Sequence, residues 1–501
     1  EMVEGYISCL SSSSKFAPGD EKDEPPSTLL WAWYLRAVLH RLAGEFTEGI
    51  ALMDKCLEHT PTAVDVYELK ALLLKSAGNI RAAVECLDKG RDLDKQDRYI
   101  NNQTTKYMLQ ANMEDTALER MALFTRHEGN PEQNLFDMQC CWYELELADC
   151  LARKQIWGKS LKKYGAVVKH FDDFHEDQFD FHSYCVRKVT LRAYTAVLRW
   201  EDELWGQPFY GRAAEGIIQI YLHLYDHPSV SKEEKEPDYS KMTPAERKKA
   251  KAIARKKKKL ADKKAAEEAE KRREKEAAAS AGENGNKKKK QPTVVDEDPN
   301  GETLLKKDPL EEAKKYSAIL SKHAPHKISS WILQYDVSIR RGKVLMALQA
   351  LACATSVDSR DHQLFTRILD FALKWEKLLE DNEDKALVSG SVVSEVLPTL
   401  LKGKSINDFV VGAAEELKQD SHAPLPMRVA VAKALVLTKA APVSEAVDLI
   451  LKSGITSRAV DVSSCRLAQT ALKEFGEEGS DASTKWTEIV KQRFPLLQDF
   501  P

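Results

Sequence analysis

Turn-forming residues are scarce in this chain, with 22 glycines and 19 prolines in 501 positions. That argues against a fold of many short, turn-linked segments and points to helices. No apolar run approaches the ~18 residues that a membrane-spanning helix needs, and no signal peptide opens the chain, so it reads as soluble and intracellular. The nine cysteines, Cys9, Cys56, Cys86, Cys140, Cys141, Cys150, Cys185, Cys353 and Cys465, include no C-x-x-C pair and have no histidines at zinc spacing. They read as reduced core thiols, not as a disulfide or metal framework. Catalytic signatures are missing too: there is no phosphate-binding G-x-x-x-x-G-K-[ST], no G-x-S-x-G, no H-E-x-x-H and no glycine-rich dinucleotide loop. The nearest approach to the acetyl-CoA-binding pattern [QR]-x-x-G-x-[GA] runs from Gln155 through Gly158 to Ser160 and fails at its last position. An enzyme reading has no nucleophile or cofactor loop to rest on, and metal ligands are not expected.

What the chain does contain is 43% hydrophobic and 31% charged residues, arranged with a period. Ala43-Gly44, Ala77-Gly78 and Ala111-Asn112 are turn dipeptides spaced by 34 residues, the tetratricopeptide period. The register persists around them. Ile50, Val84 and Leu118 align, as do Met53, Leu87 and Met121, while Gly49, Ala83 and Ala117 hold a small-residue position. Ala37 and Ala71 let paired helices approach closely, and Gly or Asn at the turn accepts the left-handed backbone that ends a helix. After the third unit the polar loop from Arg126 to Gln133 lengthens the period. Further helices are expected from Leu135 to Arg153, around Trp157, Ser160, Leu161 and Tyr164, from Phe181 to Leu198 and from Tyr210 to Leu224. Gly342, Val344 and Ala347 match the turn and the positions after it. The expected fold is all-α, a tetratricopeptide-type superhelix over 1–225, with a C-terminal helical domain over 309–501 built from related helix pairs. Such a solenoid buries a continuous core and exposes a long concave surface, so its default function is binding. Met2 to Ile7 reads like the interior of a helix, which makes the chain the expected C-terminal part of something longer.

Charge is segregated beneath a formal net charge of −3. A polar linker over 226–242 leads to Thr243-Pro244-Ala245-Glu246, an N-cap with proline at the first helical position. The projecting helix expected over 243–281 carries Arg247, Lys248, Lys249, Lys251, Arg255, Lys256, Lys257, Lys258, Lys259, Lys263 and Lys264 against Asp262. Like charges at this spacing repel unless an anion compensates them. Nucleic-acid phosphate fits, and the lack of interleaved aromatics predicts backbone contacts without base readout. A solvated spacer is the alternative. A disordered linker follows over 282–308, and its lysines 287–290 resemble a nuclear import signal. A second basic cluster comprises Lys162, Lys163, Lys169 and His170, then Arg187, Lys188 and Arg192, with Lys188 and Arg192 expected on one helix face. Either Asp172, Asp173, Glu176, Asp177 and Asp180 pair with these cations, or a polyphosphate meets them.

Residues 24–31, 77–80, 97–101 and 106–108 resemble the auxiliary subunit of N-terminal acetyltransferase A, and so do 208–210 and 308–313. The most specific stretch is 177–192, DQFDFHSYCVRKVTLR. Only the C-terminal part of that family is matched, and the acidic tail that some members carry is absent after Leu497. The resemblance implies a non-catalytic scaffold wrapping and activating a catalytic acetyltransferase subunit, which alone binds acetyl-CoA, and anchoring it to the ribosome in the cytoplasm for co-translational acetylation. It also implies inositol hexakisphosphate held by Lys162, Lys163, Lys169, His170, Tyr184, Arg187, Lys188 and Arg192, with the eleven-cation segment on ribosomal RNA. A second acetyltransferase subunit and huntingtin-interacting protein K are further implied partners. A free-standing repeat adaptor, such as a co-chaperone or RNA-processing scaffold, is the competing reading.

Overall fold

The computed structural model describes every residue except 127–128, 177, 229–297, 382, 421, 453–459, 499 and 501. The described residues form helices and no strands, and no described helix is long and apolar enough to cross a membrane. The repeats begin with α1 (Met2–Ser13), α2 (Pro26–Ala43), α3 (Phe46–His59), α4 (Val64–Ser76), α5 (Ile80–Leu93), α6 (Arg98–Gln110) and α7 (Glu114–Ala122). All three turn positions adopt the left-handed backbone, with φ of 77° at Gly44, 87° at Gly78 and 62° at Asn112. Ala37, Ala71, Ala83 and Ala117 are fully buried. Gly49 is small for a reason the register shows directly: a Cβ there would lie 2.8 Å from Leu73 of the next repeat. The third repeat breaks the pattern, because Thr105 occupies the position of Ala37 and Ala71 and buries a hydroxyl that has no partner.

The array continues through α8 (Pro131–Asp137), α9 (Cys141–Arg153), α10 (Trp157–Glu176), α11 (Gln178–Lys188), α12 (Leu191–Asp202), a 3-10 turn at Leu204–Gly206 and α13 (Pro208–Asp226). Two expected helices are divided. A left-handed Gln139 separates α8 from α9, and a left-handed Val189 separates α11 from α12. The linker expected over 282–308 ends earlier than its composition implies, since 298–308 are folded and include α14 (Glu302–Leu305). Asp298 anchors that stretch by accepting from the Glu302 and Thr303 amides at 2.7 and 2.9 Å. The expected basic helix and the lysines 287–290 lie outside the described residues.

Past this point run α15 (Pro309–His323), α16 (Ile328–Arg340), α17 (Val344–Val357), α18 (His362–Asp381), α19 (Glu383–Leu400), α20 (Ile406–Gln419), α21 (Leu425–Thr438), α22 (Val443–Leu451), α23 (Val462–Glu474) and α24 (Gly476–Arg493). The repeat-like turn at Gly342 has φ 67°, and Ala347 is buried as its register requires. One core joins the two sides of the excursion, because Tyr210, Ala213 and Ile217 of α13 share a cluster with Ala313, Leu320 and Leu333.

The last residues then return to the first repeats. Phe494 is almost wholly buried and stacks on Phe46 with ring centroids 6.0 Å apart and planes 20° from parallel. Leu497 lies where a Cβ on Gly78 would fall, and Leu496 packs against the core of the early repeats. Residues 494–497 thus pack against the early repeats of this chain. Phe494→Ala should therefore lower stability by about 3–5 kcal/mol. In a double-mutant cycle by chemical denaturation, Phe46→Ala should cost clearly less in the Phe494→Ala background than alone; additive costs would show that the two ends do not support one another.

Candidate functional site

The segment from α10 to α12 carries the second basic cluster and an unpartnered hairpin. Helix α11 ends because Val189 takes φ 54°, after which the Thr190 amide bonds back to the Cys185 carbonyl at 3.2 Å. A β-branched residue in that region costs about 1–2 kcal/mol. No residue of α12 is buried. In the described part of α11 only Cys185 is. Val186 is 61% exposed, Val189 73% and Leu191 57%, with Tyr184 and Trp200 beside them also open to solvent. The two helices are held together at their polar side, where His182 Nδ1 lies 2.9 Å from the Tyr194 hydroxyl. Trp200 rests its edge on Phe174 of α10, centroids 6.0 Å apart.

The predicted cations divide into two groups. On the hairpin, Arg187 lies over the Tyr184 ring, 6.0 Å from its centroid, and Arg187, Lys188 and Arg192 are exposed. Lys188 and Arg192 do not share a helix face, since the break at Val189 puts them on different helices. On α10, Lys169 is exposed and its ammonium sits 5.8 Å from the Phe136 centroid, while Lys163 pairs with Glu132 at 3.3 Å. Lys162 Nζ donates to the Asp298 carbonyl at 2.5 Å. Of the carboxylates offered as internal partners for the cluster, Asp172, Asp173 and Glu176 form no ion pair with its described cations, and Lys163 uses Glu132 instead. His170 differs from the rest: its ring is 1% exposed, and Nε2 lies 2.8 Å from a Glu144 carboxylate that is equally buried. An imidazole enclosed in this way cannot reach an anion at the surface. Its contact with Glu144 belongs to the core. Among the described residues, no three His, Cys, Asp or Glu side chains are grouped to hold a metal.

The structure also shows where the strongly basic segment is mounted. At the end of α13, His223 packs on Trp157 with centroids 4.7 Å apart, and His227 stacks on His223 at 4.4 Å. On the return, Gly301, with φ 71°, meets Gly158 so closely that a Cβ on either glycine would strike the other's backbone. The Tyr221 hydroxyl donates to the Leu304 carbonyl at 3.4 Å. Residues 229–297 therefore leave and re-enter beside the N-terminal end of α10. Gly158, which imitates an acetyl-CoA motif in the sequence, serves this backbone crossing.

Residues 1–354 match the sequence model of the family described as N-terminal acetyltransferase A, auxiliary subunit. The chain belongs to this family. It is 34% identical over 498 residues to the N-terminal acetyltransferase A complex auxiliary subunit NAA15 of Arabidopsis thaliana, covering 96% of this chain and 54% of that protein. It is 37% identical over 411 residues to N-alpha-acetyltransferase 16, NatA auxiliary subunit, of Mus musculus, covering 82% and 47%. The chain thus spans about half the length of the curated relatives it matches. A solved structure titled as Naa15/Naa10 bound to HypK-THB superposes with a TM-score of 0.57 at 28% identity, over 79% of this chain and 48% of that one. The family accounts for an all-helical repeat scaffold named as auxiliary and not as catalytic.

Because both glycines at the crossing carry backbone against backbone, Gly158→Ala should displace the 298–305 return by steric overlap costing about 1–3 kcal/mol. Limited proteolysis should then cut near Asn300 sooner than in the parent; unchanged cleavage would mean that the crossing does not hold the return in place.

Proposed function

We propose that this chain is the scaffolding part of an N-terminal acetyltransferase A complex that holds and activates a catalytic acetyltransferase subunit and directs it to the ribosome. The observation that carries the reading is the α11–α12 hairpin. Val186, Val189 and Leu191 are left exposed by the described residues, the hairpin carries Arg187, Lys188 and Arg192, and its turn keeps a valine in a strained backbone. Strain and exposed apolar surface together mark a binding surface better than either alone. The solved relative titled as Naa15/Naa10 bound to HypK-THB supports partners of these kinds for this chain. Acetyl-CoA would be bound by the catalytic partner. A second acetyltransferase subunit and a huntingtin-interacting protein K remain part of the proposal, and their contact surfaces are not assigned.

Inositol hexakisphosphate fits the chemistry of the exposed cations. Lys169, Tyr184, Arg187, Lys188 and Arg192 offer charge and hydroxyl donors to its phosphates, with Lys162 and Lys163 at the margin. His170 is left out because Glu144 holds it in the core. The phosphates would neutralise the cations where hairpin and catalytic subunit meet.

For the ribosome, eleven cations within 247–264, tethered at both ends beside α10, suit sequence-independent attachment to ribosomal RNA phosphate. A cytoplasmic, ribosome-associated location follows from that role, with nuclear entry through lysines 287–290 as its variant.

Two measurements test these assignments. Val189→Asp with Leu191→Asp should weaken capture of the catalytic subunit in co-purification by about a hundredfold, as expected for two charged groups placed in an apolar contact; full recovery of the subunit would refute the hairpin as its seat. Exchanging Lys256, Lys257, Lys258 and Lys259 for glutamine should flatten the salt dependence of ribosome co-sedimentation by about 3–4 units of the log–log slope. An unaltered slope would remove the phosphate contact from the proposal.

A further inference from the structure

Helices α2, α4, α6, α9 and α13 present a row of polar side chains unrelated to the hairpin. Hydrogen bonds run along this row: Tyr99 donates to Glu68 at 2.5 Å, Gln110 to Glu146 at 3.1 Å, and Arg212 to Glu146 at 3.1 Å. Nearly every charge in it is matched, since Lys106 also faces Glu146 at 3.9 Å and Arg212 pairs with Asp149. Two cations depart from this rule. Arg41 and Lys75 occupy the same repeat position, 34 residues apart, and both are half-buried. Neither forms an ion pair with a described residue. The Arg41 Nε is buried without any acceptor. Lys75 has its ammonium 4.5 Å from the Tyr107 ring centroid, and burial together with the neighbouring Lys106 holds its pKa below the ordinary lysine value. On α6 the Asn102 side-chain oxygen is likewise buried and without a donor.

A half-buried cation loses hydration; for Lys75 the more distant Glu146 carboxylate offsets this only in part, since burial and Lys106 outweigh it. Two such cations at equivalent positions lack a direct carboxylate partner among the described residues, and on α6 the Asn102 oxygen lacks a donor. A peptide supplies both, the charge from a side-chain or terminal carboxylate and the donor from its backbone. The residues one turn away on each helix, Val38 and Leu72, are apolar and partly exposed, and Tyr34 continues the row. Glu68 and Glu146 flank the cations and oppose a dense polyphosphate.

We propose that this face of the first three repeats binds an acidic, partly apolar peptide segment of a partner protein, seating a carboxylate between Arg41 and Lys75. The hairpin of α11 and α12 takes no part, so this surface stands or falls independently of the acetyltransferase reading.

The test uses the full chain and a fluorescein-labelled short peptide alternating Glu and Leu, with its Gln-for-Glu twin, read by fluorescence anisotropy. The Glu peptide should bind the parent at least about tenfold more tightly than its twin, and Arg41→Gln with Lys75→Gln should erase that preference. Lys75→Met alone, which keeps the side chain's apolar body, should lose most of it, so the answer does not depend on the double variant folding. Arg41→Lys should retain it. Equal binding of the two peptides, or an undiminished preference in Lys75→Met, would overturn the proposal. So would displacement of the Glu peptide by inorganic phosphate at millimolar concentration in the parent but not in Lys75→Met, which would assign the cations to a phosphate ligand.

Discussion

The contact of residues 494–497 with the early repeats ties distant parts of this chain together. In an open repeat array each unit touches only its neighbours, and the terminal units keep one apolar face uncovered. Here the stacking of Phe494 on Phe46, with Leu496 and Leu497 laid over the early repeats, joins the last core to the first. A solenoid joined in this way holds its curvature by contact and not by the stiffness of each successive interface.

The repeats were legible because their physics is local and periodic. A left-handed residue must end each first helix and a small residue must sit where helices cross, so the 34-residue spacing of Gly44, Gly78 and Asn112 carried the fold. The closing contact was not legible, since nothing in the residues around Phe494 says which of many apolar patches they will meet. Breaks set by single strained residues were missed for a related reason. Val189 is a poor candidate for a left-handed turn by its own preference, and the bond from the Thr190 amide back to the Cys185 carbonyl that closes the turn is not visible in residue type.

The site was legible in part. Residue type and charge located the cations on α10 to α12, but whether a polar side chain faces water or the core depends on which helix face is covered. His170 illustrates the limit: it stands among lysines in the sequence, yet its neighbour in space is Glu144, contributed by the preceding helix of the repeat. Gly158 stood out in the sequence only as part of a motif that fails, and nothing there foretold the backbone that crosses it. The basic segment announced itself by composition, whereas the position of its two ends beside α10 comes only from the fold.

A folded chain that leaves favourable interactions unmade does so where something else is expected to make them. The hairpin does it with apolar side chains around a strained valine, and the α2–α6 face does it with Arg41 and Lys75, whose neighbours are otherwise matched charge for charge. These are different deficits and call for different partners: the first asks for apolar cover, the second for a carboxylate. A repeat scaffold can present both at once, because the two surfaces lie on different helices, α2 to α6 and α11 to α12. Specificity for more than one partner then follows from separate unmet requirements on one rigid frame, with no conformational change needed to choose between them.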